Sequence, residues 1–193
     1  MAKPLIKTPI GEVRWFKLTG AARPNKFDPS KPPQWSTDLI LDNTDQDHQG
    51  FLLHMEEQFT ELHGAAKKHS RAFPWGPFED KDRDGKVTRD DSKTVIKFKA
   101  SQFTRSDGTS AEGPRIMDSA KNPWDHSKEL ANGSKVIIAF DIYAWNGNTG
   151  AGITLQPKVV MVVDYIPFNR VDAADLFDEI PGGYVGEGEM AIS

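Results

Sequence analysis

Lys135-Val136-Ile137-Ile138-Ala139-Phe140-Asp141-Ile142-Tyr143-Ala144-Trp145 is the stretch that decides how this chain is read. In an extended strand, alternate side chains point to opposite sides. Val136, Ile138, Phe140, Ile142 and Ala144 then form one apolar face suited to a core. Lys135, Ile137, Ala139, Asp141, Tyr143 and Trp145 share the other. Two large aromatics close together on the non-core side need something to lie against. Nucleic-acid bases stacked on a sheet are one such partner. A second small core, or a protein surface, is another. This strand alone leaves both open.

Working outward, Thr94 to Arg105 repeats the two-faced pattern. Lys93, Val95, Lys97, Lys99, Ser101, Phe103 and Arg105 fall on one side. Thr94, Ile96, Phe98, Ala100 and Gln102 fall on the other. Lysines on an open face can neutralise phosphates and release their counterions, and Phe103 can stack on a base. The same lysines would equally guard an edge strand against aggregation. Set beside Tyr143 and Trp145, the binding reading gains.

Further strands are expected at Ile10 to Thr19, Gln34 to Leu41, Ala111 to Ser119 and Ile153 to Tyr165. Asn146 to Gly152 reads as a hairpin connection. One long helix is expected from Thr44 to Lys68, capped by Asn43 or Thr44, with Asp45 and Asp47 at its positive end. Phe51, Met55, Phe59, Leu62 and Ala66 make its apolar stripe. His54 and His63 flank that stripe and read as packing or surface residues. Proline-rich Ala21 to Pro33 reads as a loop, with Lys26, Phe27 and Lys31 placed to follow a groove. Arg71 to Asp91 and Asn122 to Gly133 also read as loops. The fold class expected is mainly β: a five- to six-stranded barrel of the OB type with one long helix and a flexible acidic C-terminal tail. A β-sandwich fits the same pattern.

The bulk composition bounds the function. The 193 residues suggest one domain with a tail, divided here as residues 1–165 and 166–193. With no cysteine, disulfides, thiolate metal sites and cysteine nucleophiles are excluded. No apolar run reaches the length of a membrane span, and the first residues lack the core of a signal peptide. The net charge of −4 hides an asymmetry. From Asp164 onward there are seven acids and one base, which leaves a body of charge +2. A mildly basic body with an acidic tail suits a nucleic-acid binder, and also suits a tail that only confers solubility.

Asp80 to Asp91 carries oxygen ligands at loop positions 1, 3, 5, 9 and 12, with Gly85 at position 6. That approaches a calcium loop built on Asp80, Asp82 and Asp84, and supports an alternative function as a calcium-dependent interaction module. The preceding Phe73-Pro74-Trp75-Gly76-Pro77-Phe78 is a poor incoming helix. Asp91 also stands where a longer, bidentate glutamate is wanted. A flexible acidic turn is the simpler reading. No phosphate-cradling glycine loop, zinc-protease motif or nucleophile elbow is present, so no enzyme is expected and no cofactor is implied.

Taken in order, several short segments resemble the single-stranded DNA-binding proteins of short-tailed phages that encode their own replisome. They are Lys97-Phe98-Lys99, Gly133-Ser134-Lys135, Tyr143-Ala144-Trp145-Asn146, Gly150-Ala151-Gly152, Leu155-Gln156 and Val160-Met161. The resemblance is strongest from Lys93 to Tyr165. It implies an OB-fold body that coats single-stranded DNA, largely without sequence preference, during phage replication and recombination in the cytoplasm of an infected bacterial host. It also implies a homodimer, and an acidic tail that contacts the phage DNA polymerase and helicase-primase. Carried over by position, Tyr143 and Trp145 join the DNA-facing aromatics, with Lys97, Lys99 and Lys135 near the backbone. The tail departs from the family pattern: it is only moderately acidic and ends Met190-Ala191-Ile192-Ser193.

Overall fold

The computed structural model describes residues 4–26 and 28–168. The elements run β1 (Ile6–Lys7), β2 (Gly11–Lys17), β3 (Gln34–Asp42), α1 (Gln46–His63), β4 (Trp75–Lys81), β5 (Val87–Ser101), β6 (Arg115–Asp118), β7 (Lys135–Gly147) and β8 (Gly150–Asp164).

Five strands close a ring. β2 pairs with β3 and β7, β3 with β5, β5 with β8, and β8 with β7. The β5–β8 pairing is parallel and the others are antiparallel. A closed five-stranded ring is an OB-type barrel rather than a sandwich. β1 adds to β7, and β6 adds to β8 in parallel.

Period-two patterning places the core. Val136, Ile138 and Phe140 are fully buried and Ile142 nearly so. Ile96 and Phe98 from β5 and Leu39 and Leu41 from β3 join them inside. The rings of Phe98 and Phe140 meet edge to face at 5.3 Å.

α1 closes one end of the barrel with Phe51, Met55 and Phe59. Its N-cap is Asp45, one residue later than the sequence suggested; the carboxylate accepts from the backbone N–H of Asp47 and His48. The helix stops at His63 because Gly64 adopts φ +57°, a conformation that glycine takes freely. The apolar stripe therefore outruns the helix, and Ala66 packs from the following loop. Among the described residues no helix is long and apolar enough to cross a membrane.

Arg71 to Asp91 is not a single loop; only residues 71–74 and 82–86 lie outside strands. β4 and the first half of β5 form a hairpin, with the register slipping between Pro77 and Phe78. A slip is where a strand tolerates proline, which has no N–H for the ladder. At the hairpin tip, the Asp82 carboxylate accepts from the backbone N–H of Asp84 and Lys86. Gly85 turns the chain at φ +85° and donates to the Asp82 carbonyl. The spacing that resembled a calcium loop is thus the chemistry of a tight turn.

At the other end of the chain, Ile166 to Phe168 stay with the body. The Ile166 N–H donates to Ser134 Oγ, Ala131 N–H to the Ile166 carbonyl, and Phe168 N–H to the Glu129 carbonyl. The acidic residues beyond 168 lie outside the described residues.

Candidate nucleic-acid interface

The outer face of the barrel across β5, β8 and β7 gathers most of the sequence-selected residues. Opposed residues in an antiparallel pair share a face. Tyr143 lies opposite Thr154, and Trp145 opposite Gly152. β5 contributes Lys97 and Lys99, both exposed while Phe98 between them is buried.

Tyr143 is 57% exposed and Phe103 59% exposed. Neither belongs to the core. Trp145 is half-buried for a specific reason: its ring lies on the backbone of Gly152. A Cβ at residue 152 would fall 2.1 Å from the ring carbon Cζ2. The Trp145 and His69 rings also meet edge to face, their centres 5.4 Å apart. His69 is held there because residues 67–69 run alongside the β8 end of the hairpin. Ala151 N–H donates to the Lys67 carbonyl, and His69 N–H to the Ala151 carbonyl. Gly150 permits that close approach; a Cβ there would sit 2.7 Å from His69 N. The Gly150-Ala151-Gly152 sequence therefore seats an aromatic ring.

Two grooves meet on this face. One, of about 590 Å³, is lined by His69, Arg71, Trp75, Lys97, Lys99 and Trp145 among others. The second, of about 360 Å³, includes Lys99, Phe103, Arg105, Tyr143 and Lys158. They share Lys99 and Thr154 and so adjoin, together making up the channel of this face. Among the described residues lining each groove, three lysines or arginines face one glutamate, Glu79 in the first and Glu112 in the second. The channel is basic although the whole chain is acidic. Arg105 is anchored by hydrogen bonds to Thr109 Oγ1 and the Ser110 carbonyl.

Lys97 has a counter-charge beside it. Asp38 on β3 is its cross-strand partner and also meets Arg14 at 3.8 Å. Burial pushes the Asp38 carboxyl above its ordinary pKa, while Lys97, Arg14 and Lys17 pull it down. Arg14 in turn lies 4.9 Å below the Phe78 ring and donates to the Glu79 carbonyl, which roofs this part of the face with the β4–β5 hairpin.

Lys135 is not brought to the channel. It shares the outward face of β7 with Tyr143 but sits eight residues away, about 26 Å along a strand. It lines a separate pocket of about 560 Å³ with Glu12, Asp42, Asp45, Asp47 and Lys93. Lys31 pairs with Asp28 at 3.4 Å, and neither it nor Lys26 lines the channel. Phe27 lies outside the described residues. Asp80, Asp82 and Asp84 sit exposed around the hairpin tip. Among the described residues no group of three or more histidine, aspartate or glutamate side chains is arranged to hold a metal ion.

Sequence reading missed Arg71, Phe73, Trp75 and Lys158. Phe73 stacks on Trp75 at 4.6 Å and 17°, and Lys68 Nζ lies 4.9 Å from the Phe73 ring centre. The signal was the Phe73-Pro74-Trp75 cluster inside a segment taken for a loop.

No protein-family model matches this sequence, and no curated protein matches it. Solved structures do. The single-stranded DNA binding protein gp2.5 of bacteriophage T7 superposes with a TM-score of 0.61 at 21% identity, over 96% of this chain and 100% of that one. The single-stranded DNA-binding protein of bacteriophage Enc34 gives 0.59 at 16% identity, over 91% and 90%. The Enc34 protein in complex with single-stranded DNA gives 0.63 at 16% identity, over 86% and 90%. This chain folds as those phage proteins do.

Proposed function

We propose that this protein binds single-stranded DNA, largely without regard to sequence, and coats it during phage DNA replication. The observation that carries this reading is the channel over β5, β7 and β8, which brings Tyr143, Trp145, Phe103 and Trp75 together with Lys97, Lys99, Arg105 and Lys158. Rings offer each base a surface whatever its identity, and cations track the phosphates. In duplex DNA the base faces are already stacked, so the rings have nothing to take up. The Enc34 protein, of like fold, was solved with single-stranded DNA bound, which supports the reading. The tail's contacts with polymerase and helicase-primase belong to the same proposal and fall on residues outside those described.

The test is titration of oligothymidine and of duplex at two or more salt concentrations. Four phosphate-tracking cations give a slope of log K against log salt of about −3 for a single strand. Equal affinity for duplex, or a flat salt response, would overturn the proposal.

A further inference from the structure

Trp15 is set out of the regular ladder. The β2–β3 register slips between Arg14 and Lys17, and Trp15 at that slip has φ +56°. A bulky residue rarely adopts this left-handed conformation. Its side chain is nonetheless 58% exposed, while its neighbour Phe16 fills the core. The Trp15 N–H donates to Asn132 Oδ1 at 2.9 Å, which holds the strained backbone in place. Strain maintained by its surroundings, in a residue that adds little to the core, points to function.

A path leads to this ring from the channel. Lys99 lies opposite Ser36, and Ser36 opposite Lys17. The row crosses β5, β3 and β2 on the outer face, two interstrand steps or about 10 Å. Lys17 and Lys99 are both exposed. The parallel row from Lys97 through Asp38 instead ends at Arg14, which Phe78 and Glu79 cover. The lane through Ser36 therefore has a cation at each end and runs from the channel to Lys17, two residues from the exposed Trp15.

We propose that Trp15 is a second stacking platform, taken up by a single-stranded nucleic acid that leaves the channel at Lys99 and crosses Ser36 and Lys17. This rests on the proposed function and extends its path. The occupant is a nucleic-acid strand because the lane is cationic and continuous with the channel.

The experiment uses the full chain and oligothymidines from about 4 to about 16 nucleotides, the span of single OB-fold sites. Trp15→Ala should match the wild type on the shortest strands and lose about tenfold on the longest. Lys17→Ala should reduce the salt slope by about 0.7, on the long strands only. Trp15→Tyr should restore long-strand binding. Trp15→Gly suits the backbone conformation, so it should melt no lower than the wild type while showing the same binding loss. Unchanged affinity of Trp15→Ala at every length, which a protein partner on Trp15 would give, overturns the proposal. So does an equal loss at every length, or a lowered melting point for Trp15→Gly. Tyr143→Ala/Trp145→Ala is titrated alongside. If that variant binds short strands normally, the channel reading itself fails. If it fails to bind and only the Trp15 variants are silent, the channel stands and the second platform falls.

Discussion

Two pockets of nearly equal size differ in what surrounds their lysines, and the proposed phosphate contacts fall in only one of them. The channel groove, about 590 Å³, sets Lys97 and Lys99 among Trp75, Trp145 and Arg71. The pocket at the start of α1, about 560 Å³, sets Lys93 and Lys135 among Glu12, Asp42, Asp45 and Asp47, with no ring but that of His48. In the second pocket four carboxylates outnumber the two lysines. An incoming phosphate would meet repulsion there and find no base platform. Cations and rings must therefore coincide, and only one of these pockets combines them.

Four variants sharpen or break that contrast. The largest effect belongs to Tyr143→Ala/Trp145→Ala. With stacking at roughly 1–3 kcal/mol per base, oligothymidine affinity should fall by about 100-fold or more while the melting curve stays cooperative. Unfolding of the double variant would place the rings in the structural core instead. Next is Gly152→Ala, whose methyl would overlap the Trp145 ring. Overpacking costs about 1–3 kcal/mol, so the melting point should drop and binding should weaken by about tenfold. Lys97→Ala and Lys135→Ala then form a matched pair. The first should reduce the salt slope by about 0.7, and the second should leave slope and affinity unchanged.

The smallest change expected concerns Asp38. Its folded pKa is raised, chiefly by burial, above the ordinary 3.8. The folded protein therefore holds this proton more tightly than the unfolded chain does. This group adds stability as the pH falls from above its folded pKa toward 3.8, and that contribution disappears as the pH rises. Over the same window a negative charge beside Lys97 is lost. Wild-type affinity should then rise by a few-fold more than that of Asp38→Asn, as read by titration at matched ionic strength.

Much of the barrel was legible because alternation is a local signal. Val136 to Ile142 declared their face from spacing alone, and the stripe from Phe51 to Phe59 declared the helix. Lys135 shows the limit. Alternation assigns a residue to a face, but the neighbours on that face come from other strands and from the coiling of the barrel. β7 shifts register near both Lys135 and Ala139. The β4 hairpin was hidden for a different reason. Gly76, Pro77 and the run of aspartates all read as breakers, and only pairing with β5 shows that the breakers sit at a slip and a turn. Trp75 was lost with it. Gly152 carried its meaning in the sequence, but the reason for it, an indole lying on its backbone, is a tertiary fact.

The ring of strands is also uneven in how it is sewn. β7 and β8 share thirteen opposed residue pairs, whereas β5 and β8 join at Phe98 and Leu155 alone. Local opening is easiest where few hydrogen bonds resist it. That thin join lies beside Lys99 and Thr154, where the two grooves meet. A polynucleotide bound across it would act as a suture, so amide exchange at the join should slow on binding while the β7–β8 ribbon, already well protected, barely changes.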